Sequence, residues 1–430
     1  MQGMTCGSQK VRWSVLELKV PDGGWASLLA QMPGHWTFIH VMSVYYERKR
    51  GNGMEQFSLK TEIIIGSADL KELLKDIQRV FIVTDGFMAE SGKISYVTKQ
   101  LEDAGITYGV FSEVRADPDI ATVAKGMEQM ETLEPQAVIA FGGGSPIDAA
   151  KAMVFFGQKQ KPQNGCRFIA IPTTSGTGSE VSRFAVISDP LKEAKYPLTD
   201  DALRADIAVL DASLTLSVPP GVTADTGVDV LTHAMEAFVS ETANDFTDAA
   251  AEKAIRMVHE NLLEVFAHPD NRCARQKMHN ASCLAGIAFS SGGLGINHSM
   301  AHTLGAHFHL PHGKVNGILM PYVISYNSGY REGLTKAAGR YELIAQMMGV
   351  ENGDSRQSVF NLIRLIRQYR KQLNIPNTIA EAGVTAEEFE ENLKEMAQAA
   401  YADGCTKTNP RKCTIDDLIG IFRNAYDGRL

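Results

Sequence analysis

Several features are missing from this 430-residue sequence, and their absence excludes whole classes of protein. No apolar run approaches the roughly 18–20 residues that a bilayer-spanning helix needs, so we expect no membrane segment. No basic block is present, and 42 Lys and Arg against 50 Asp and Glu give a formal net charge of −8. Since no cluster of basic residues is present to neutralise a phosphate backbone, we expect no nucleic-acid partner.

Cysteine is sparse, and its six positions include no CxxC pair. This spacing is typical of free thiols in a reducing cytosol, and the start of the chain lacks a secretory signal pattern. We therefore expect a cytoplasmic protein, and 44% apolar residues provide for substantial cores. The cysteines are Cys6, Cys166, Cys273, Cys283, Cys405 and Cys413.

Tryptophan is absent after Trp36, although three tryptophans occur up to that point. Residues 1–53 show no sustained helix or strand period, so we predict an atypical, poorly ordered N-terminal extension there. Two interpretations stay open: a targeting or docking segment, or upstream sequence without a role of its own. We expect no second catalytic domain within these residues, because about fifty residues cannot hold one. Residues 54–66 then predict a strand that leads into a globular domain.

Strand and helix patterns alternate from about residue 70 onwards. Buried strands are predicted by the short apolar runs at 79–85 and 137–141, and further extended segments at 106–114, 167–172 and 206–210; their alternation with helices predicts a parallel sheet. Beyond Pro219 and Pro220 the pattern changes, and only helical periods follow. The sequence thus predicts an α/β domain with a parallel sheet at 54–218 and an all-helical domain at 219–430. A cleft between two such domains is a usual place for a ligand.

The GxGxxG fingerprint of dinucleotide-binding folds is absent, but a different glycine turn occurs. Residues 141–148 (FGGGSPID) follow a predicted strand and open a predicted helix. Glycines let the backbone approach a ligand closely, and the free N–H groups at a helix start suit an anion. A tight turn without a ligand is the alternative. Three consecutive glycines favour phosphate binding, because ordering them costs much conformational entropy and a turn without a ligand does not need all three.

Two further features extend this predicted phosphate site. Residues 172–179 (PTTSGTGS) follow another strand, and their hydroxyls and amides could cover a diphosphate or a ribose. Alone this signal is weak, because such runs are often only loops. Asp85 ends the first strong strand, where its carboxylate could accept hydrogen bonds from ribose hydroxyls and repel a 2′-phosphate. Equally, Asp85 could cap a helix.

Histidine is concentrated in one short segment. Asp229 and His233 are spaced i, i+4 in a predicted helix at 226–240, so both project from one face. One carboxylate with several imidazoles suits iron or zinc better than calcium or magnesium. Spacing alone does not decide which histidines bind a metal. Five of the eleven histidines lie within the fifteen residues 298–312, namely His298, His302, His307, His309 and His312.

Together these stretches resemble the iron-containing (group III) alcohol dehydrogenase family. The matching segments are FGGGSPIDAAKAM (141–153), IPTTSGTGSEVS (171–182), GVDVLTHAMEAFVS (227–240) and INHSMAHTLGAHFHLPHG (296–313). A looser match at 405–418 extends the resemblance over about residues 57–430. Within the family, the sequence looks similar to propanol and ethanol dehydrogenases of bacterial diol or ethanolamine utilisation.

The resemblance implies an N-terminal dinucleotide-binding domain followed by a helical metal-binding domain. The implied metal ligands are Asp229, His233, His298 and His312. His302 takes the position of a histidine that lies near the substrate without being a ligand. The implied cofactor-binding residues are Asp85, Gly142, Gly143, Gly144, Ser145, Asp148, Thr173, Thr174, Thr177 and Lys195.

The resemblance also implies a reaction, namely hydride transfer between NAD(H) and short-chain aldehydes or primary alcohols. The expected metal is Fe²⁺, with Zn²⁺ as an alternative, and His302 would relay a proton. We expect Phe238, Met300 and Phe308 to line an apolar cleft for uncharged substrates, because no Arg or Lys occurs between 278 and 313.

Two other functions stay open at this point. One is a zinc polyol dehydrogenase or a sugar-phosphate cyclase-like lyase on a related scaffold, and the other is a catalytically silent scaffold subunit. The expected partners are a small alcohol or aldehyde and further copies of the chain. A bacterial microcompartment is a further location that the resemblance suggests.

Overall fold

The computed structural model describes residues 57–160, 165–190 and 194–430, with only the backbone at 194 and 195. Residues 57–430 form one compact unit. The extension predicted at 1–53 lies outside the described residues, as does the start of the strand predicted from residue 54. Within the described part, that strand is shorter than predicted, because its regular pairing spans only Glu62–Ile65.

A parallel six-stranded sheet, in the order β1-β8-β5-β4-β2-β3, forms the centre of the α/β half. Its inner strand β4 is buried along its whole length, as expected where helices cover both faces of a parallel sheet. The described strands are β1 (Glu62–Ile65), β2 (Arg79–Asp85), β3 (Thr107–Val114), β4 (Ala137–Gly142), β5 (Arg167–Pro172), β6 (Phe184–Asp189), β7 (Ala194–Thr199) and β8 (Ile207–Leu210).

Helices connect and cover these strands. They are α1 (Leu70–Leu73), α2 (Gly86–Glu90), α3 (Ser95–Asp103), α4 (Ile120–Leu133) and α5 (Gly144–Gln160). The carboxylates of Asp69, Asp85 and Asp119 accept backbone N–H groups at the starts of α1, α2 and α4. Such caps satisfy donors that have no partner inside the helix, and they explain where these helices begin.

Strands β6 and β7 form an antiparallel hairpin that sequence reasoning did not predict. Pro197 lies inside β7, and proline within a run normally argues against a strand. In the hairpin, Ser188 pairs with Lys195. The backbone N–H of Val186 donates to the carboxylate of Asp148 over 3.0 Å, and this bond ties the hairpin to helix α5.

After Leu210 the described chain contains helices and short 3₁₀ turns but no strand, as predicted. The predicted boundary at 218/219 falls just before α6, and none of the described helices has the length and apolar character needed to cross a bilayer. The helices are α6 (Pro220–Val239), α7 (Asp245–Ala267), α8 (Arg272–Gly292), α9 (Ile296–Phe308), α10 (His312–Ser328), α11 (Ala337–Met347), α12 (Ser355–Gln372), α13 (Ala386–Ala402) and α14 (Ile415–Asp427).

The loop after β5 packs tightly against helix α8 of the helical half. A Cβ on Gly178 would lie 2.6 Å from the Cα of Gly286, so neither glycine can be exchanged without moving the backbone. Nearby, the Oγ of Ser175 lies 2.9 Å from Nδ1 of the buried His279. The two halves therefore meet without a gap beside the loop that the sequence marked as a cofactor site.

Candidate metal centre and cofactor loops

Helix α6 supplies two buried side chains to the candidate metal centre. Asp229 and His233 are 4% and 6% exposed, and their i, i+4 spacing places them on the same face, as the sequence predicted. The ring of His233 stacks on Phe289 with 4.7 Å between ring centroids. This contact fixes the plane of the imidazole from the side of helix α8.

The N-terminus of helix α9 is held by a carboxylate from helix α6. Glu236 accepts the backbone N–H groups of Asn297 at 2.8 Å and His298 at 3.3 Å. Glu236 also bonds Nδ1 of the His298 ring. A negative charge is favourable at a helix N-terminus, and a carboxylate on Nδ1 leaves Nε2 of the same ring free to bind a metal.

The fourth side chain comes from the start of helix α10. His312 is the first residue of this helix, and Gly313 follows it. A Cβ on Gly313 would lie 2.0 Å from the carbonyl oxygen of Asp225 on helix α6. Only glycine allows this approach, which brings Nε2 of His312 within 3.6 Å of Oδ1 of Asp229.

Ligand atoms of the four residues converge, each lying within 4.8 Å of the others. From the carboxylate of Asp229 to the nearest ring nitrogen, the distances are 3.9 Å for His233, 3.7 Å for His298 and 3.6 Å for His312. Metal bonds of 2.0–2.2 Å in tetrahedral geometry would place ligand atoms about 3.3–3.6 Å apart. The four residues therefore surround a space that a small contraction would fit to a metal ion.

Two buried nitrogens in this cluster have no hydrogen-bond partner, namely Nδ1 of His233 and Nε2 of His298. Buried polar atoms normally have a partner, and leaving one without a bond costs about 1–3 kcal/mol. Both atoms face the carboxylate of Asp229 at distances too long for a hydrogen bond. A bound cation would satisfy both, so the donor set fits a divalent iron or zinc ion.

Protonation states in the cluster also favour a cation. Burial opposes the charge of Asp229, but the facing histidines outweigh burial and hold its pKa well below the usual range. Burial lowers the pKa of His233 to about 3, so its ring is neutral at neutral pH. Burial also lowers the pKa of His298, yet Asp229 and Glu236 outweigh burial and raise that pKa above its ordinary value. The cluster therefore stabilises one positive charge, which a metal could supply in place of a proton.

Sequence reasoning missed the amide that braces this cluster. Nδ2 of the buried Asn316 donates to Oδ1 of Asp229 over 2.7 Å and lies 3.1 Å from Nε2 of His312. Its Oδ1 accepts a hydrogen bond of 2.8 Å from the amide of Asn297, next to His298. Asn316 lies one helical turn after His312, and this i, i+4 spacing is the signal that could have identified it.

His302 lies beside the four-residue cluster but is not part of it, and its role as a residue near the substrate stays a prediction. Its ring stacks on that of His312 with 5.4 Å between centroids, and its side chain is 39% exposed. Nδ1 of His302 lies 2.9 Å from Oδ2 of Asp403, a contact that sequence reasoning also missed. Together with Cys405, these two residues form a second group of potential ligand atoms within 4.8 Å.

The predicted cofactor loops meet at the carboxyl edge of the neighbouring strands β5, β4 and β2. A Cβ on Gly142 would lie 3.3 Å from Oδ2 of Asp85, so this oxygen faces the glycine turn. A Cβ on Gly144 would lie 2.7 Å from the Cγ2 of Thr177 on the other loop. The side chains predicted from three separate motifs therefore surround one place, where ligands of open parallel sheets usually bind.

Of the two roles that the sequence left open for Asp85, the structure shows the helix cap, and the contact with a ribose stays a prediction. Its Oδ1 accepts the backbone N–H of Met88 over 2.9 Å and so caps helix α2. Its Oδ2 faces Gly142 across the turn. One carboxylate oxygen is thus fixed by the protein, while the other is directed at the predicted nucleotide site.

The remaining predicted cofactor residues differ in what surrounds them. Asp148 accepts hydrogen bonds on both oxygens, from Oγ of Ser179 at 2.5 Å and from the backbone of Val186 at 3.0 Å. These bonds give Asp148 a structural role, and its cofactor contact stays a prediction. The buried hydroxyl of Thr173 has no partner and is available to a ligand. Of Lys195, the structure describes only the strand position.

The apolar residues expected to line the cleft are corrected by the structure. Met300 is 0% exposed and Phe238 is 3% exposed, so both belong to the closed helical core. Phe238 lies under the guanidinium group of Arg340, 3.8 Å from its ring centroid. Both residues are on helix faces that pack inward, and only Phe308 is partly exposed. Sequence proximity to the ligands did not indicate which face these side chains occupy.

The fold and the site define a class of protein in which a parallel sheet with glycine-rich loops precedes a helical half that buries a cluster of one aspartate and three histidines. Two family models match the chain: "Iron-containing alcohol dehydrogenase" over residues 60–212, and "Fe-containing alcohol dehydrogenase family, C-terminal" over residues 223–426. The chain belongs to the iron-containing alcohol dehydrogenase family.

Curated relatives agree with this assignment. The 1-propanol dehydrogenase PduQ of Salmonella typhimurium is 45% identical, over 85% of this chain and 98% of its own length. The NADPH-dependent butanol dehydrogenase of Clostridium saccharobutylicum is 40% identical, over 87% of this chain and 99% of its own. An aldehyde-alcohol dehydrogenase of Streptococcus pneumoniae is 39% identical over 91% of this chain. The match covers only 48% of that relative, so this chain spans about half of its length.

Solved structures share the same fold. The iron-containing alcohol dehydrogenase of Thermococcus thioreducens is 30% identical, with a TM-score of 0.79 over 87% of this chain and 100% of its own. A sulfoacetaldehyde reductase of Bifidobacterium kashiwanohense, in complex with NAD⁺, is 26% identical with a TM-score of 0.75. That match covers 86% of this chain and 98% of the reductase.

We predict that His298→Ala removes most of the bound metal, because it deletes a buried nitrogen that faces Asp229 without a partner. The matched control is His307→Ala on the same helix, which should keep near-stoichiometric metal because His307 lies outside the four-residue cluster. Metal content per chain is measured by mass spectrometry after anaerobic loading with iron and desalting. Full metal retention in His298→Ala would show that the assignment of this ligand is wrong.

We also predict that Glu236→Gln weakens metal binding about 10- to 100-fold without abolishing it. A neutral amide can still accept one backbone N–H of helix α9, but it no longer holds Nδ1 of His298 with a negative charge. Metal affinity is measured by competition with a chelator. Glu260→Gln, at an exposed position on helix α7, is the control. Equal affinities for both variants would contradict the role given to Glu236.

Proposed function

We propose that the protein interconverts short, uncharged aldehydes and primary alcohols, with NAD(H) as hydride carrier and Fe²⁺ as metal. The observation that carries this proposal is the buried cluster of Asp229, His233, His298 and His312, two of whose nitrogens lack a partner. Family membership and the printed names of the propanol and butanol dehydrogenases support the reaction class.

Contacts along helix α8 connect the two parts of the proposed active site. Ser175 and Gly178, in the loop after β5, pack against His279 and Gly286 of this helix. One turn further along, Phe289 stacks on the ring of His233. Helix α8 thus contacts both the predicted cofactor loop and a predicted metal ligand, and such a link would fix their separation, as hydride transfer over a short distance requires.

The residues of the chain have separate tasks in this reaction. A bound divalent metal would act as a Lewis acid on the substrate oxygen, and the nicotinamide would carry the hydride. Asp229 and the three imidazoles would hold the metal, while the glycine turn and Thr173 would contact the cofactor. His302 stands beside His312 with an exposed edge, where it can exchange a proton between substrate oxygen and solvent.

The sequence segment that carries His298 and His312 is poor in positive charge. No Arg or Lys occurs between residues 278 and 313, which include helix α9 and the start of α10. The next basic residue, Lys314, lies 3.8 Å from the carboxylate of Asp225, so this segment offers a substrate carboxylate or phosphate no basic group without a partner. This observation favours uncharged substrates of about two to four carbons over sugar phosphates and hydroxy acids.

The two alternative functions have less support. Family models for iron-containing alcohol dehydrogenases match both halves, which weighs against a polyol dehydrogenase or cyclase-like lyase. The complete set of ligands weighs against a silent scaffold, which would have no need to bury an ionised carboxylate among imidazoles. Formation of a homo-oligomer and a microcompartment location stay proposals, measurable by light scattering and by co-fractionation.

The function is tested with protein loaded anaerobically with iron. We expect NADH-linked reduction of ethanal, propanal and butanal. The rates should be well above those measured with an oxo acid, whose reduction gives a hydroxy acid, or with a sugar phosphate. Removal of the metal by a chelator should abolish turnover, and added Fe²⁺ should restore it. A phosphorylated substrate that outperforms propanal would show that the proposed substrate class is wrong, and turnover unchanged by metal removal would exclude the metal-dependent reaction.

Cofactor preference is proposed to favour NAD(H), because Oδ2 of Asp85 faces the glycine turn. Asp85→Asn should reduce the preference for NADH over NADPH about 5- to 150-fold, since the repulsion removed is on the order of 1–3 kcal/mol. Asparagine still caps helix α2, so the fold should persist. One relative is named as NADPH-dependent, which makes the measurement informative.

The preference is measured as the ratio of kcat/KM for the two cofactors. Asp76→Asn, at an exposed position before β2, is the control and should leave the ratio unchanged. Equal efficiency with both cofactors in the unmodified protein would contradict the assignment of Asp85.

A further inference from the structure

The His302 ring is oriented by a residue about a hundred positions further along the chain. Its Nδ1 lies 2.9 Å from Oδ2 of Asp403, which follows the last residue of helix α13. An ionised carboxylate only accepts hydrogen bonds, so Nδ1 of the neutral ring must carry the hydrogen. Nε2 is then left as the acceptor, available to a proton from substrate or water.

The Asp403 carboxylate is itself held in place. Its Oδ1 accepts the backbone N–H of Cys405 at 2.7 Å and the hydroxyl of Ser299 at 3.1 Å. Ser299 precedes His302 by three positions on helix α9, so one helix carries both the ring and a support of its partner. With Oδ1 fixed twice, Oδ2 has a defined direction toward the imidazole.

We propose that Asp403 is the positioning residue of His302, and that it holds the ring with Nδ1 protonated and Nε2 open to the substrate oxygen. This inference rests on the proposed function, because it assigns a partner to the residue that would move the proton there. Asp403 does not touch substrate or cofactor and acts only through His302. With the tautomer and the ring plane fixed, neither tautomer exchange nor ring rotation has to precede a proton transfer.

Cys405 makes a second interpretation of the same group necessary. Its sulfur lies with His302 and Asp403 within 4.8 Å, so the three could in principle bind a second metal ion. The hydrogen bonds argue for positioning instead, because both oxygens of Asp403 already have donors. Burial and the charge of Asp403 also raise the pKa of the Cys405 thiol, which disfavours the thiolate that a metal would need.

The experiment is a double-mutant cycle with Asp403→Asn and His302→Ala in metal-loaded protein. Asp403→Asn keeps an oxygen for Cys405 and Ser299 but removes the charge that fixes His302. We expect each single variant to lower kcat about 10- to 100-fold with little change in KM. The double variant should be no slower than His302→Ala, because Asp403 acts only through that ring. Asp416→Asn, an exposed carboxylate at the start of helix α14, should leave kcat unchanged.

A second measurement does not depend on activity. In zinc-loaded protein with ¹⁵N-labelled histidine, NMR reports which ring nitrogen of His302 carries the hydrogen, and His302→Ala assigns the signal. We expect the Nδ1–H form in the unmodified protein and a loss of that preference in Asp403→Asn. This readout keeps the inference testable even where the proposed reaction is absent, so the two failures are distinguishable.

Several outcomes would overturn the inference. Additive losses in the double variant would show that Asp403 acts independently of His302. A tautomer that is unchanged in Asp403→Asn would show that another group orients the ring. Two metal ions per chain, with one lost in Cys405→Ser, would establish the second metal site instead.

Discussion

The negative charge of Asp229 in a nearly closed helical core is the constraint on which the rest of the site depends. Burying an ionised carboxylate is costly unless opposite charge or hydrogen bonds compensate for it. Here the compensation comes from Asn316 and from the imidazoles of helices α6, α9 and α10. These helices must keep their relative positions, because a shift of one turn in α9 or α10 would remove part of this compensation.

This constraint accounts for features that would otherwise be unrelated. Gly313 must lack a side chain so that helix α10 can approach the carbonyl of Asp225. Glu236 must be acidic because it faces both the start of helix α9 and the ring of His298. Phe289 stacks on His233 and also on Phe184 of the β6–β7 hairpin. These two contacts connect the cluster to the α/β half.

Residues in regular patterns could be predicted from the sequence, and isolated supporting residues could not. The parallel strands, the helical half and Asp229 with His233 follow from apolar periods and an i, i+4 spacing. Asp403 has no such pattern, because its relation to His302 exists only after two distant helices have packed. The hairpin was missed because Pro197 contradicts local strand rules, which tertiary pairing overrides. Phe238 and Met300 were misplaced because nearness in sequence does not determine which helix face is buried.

The site uses the same interaction, a carboxylate on Nδ1 of a histidine, at two depths and with two consequences. Glu236 and His298 are 6% and 1% exposed, so their bond is shielded from water and keeps Nε2 directed at the cluster. Asp403 and His302 are 23% and 39% exposed, so a proton on Nε2 can leave to solvent. Burial thus separates a residue suited to holding a cation from one suited to passing a proton. Because both rings project from helix α9 one turn apart, a single helix places the two proposed functions side by side.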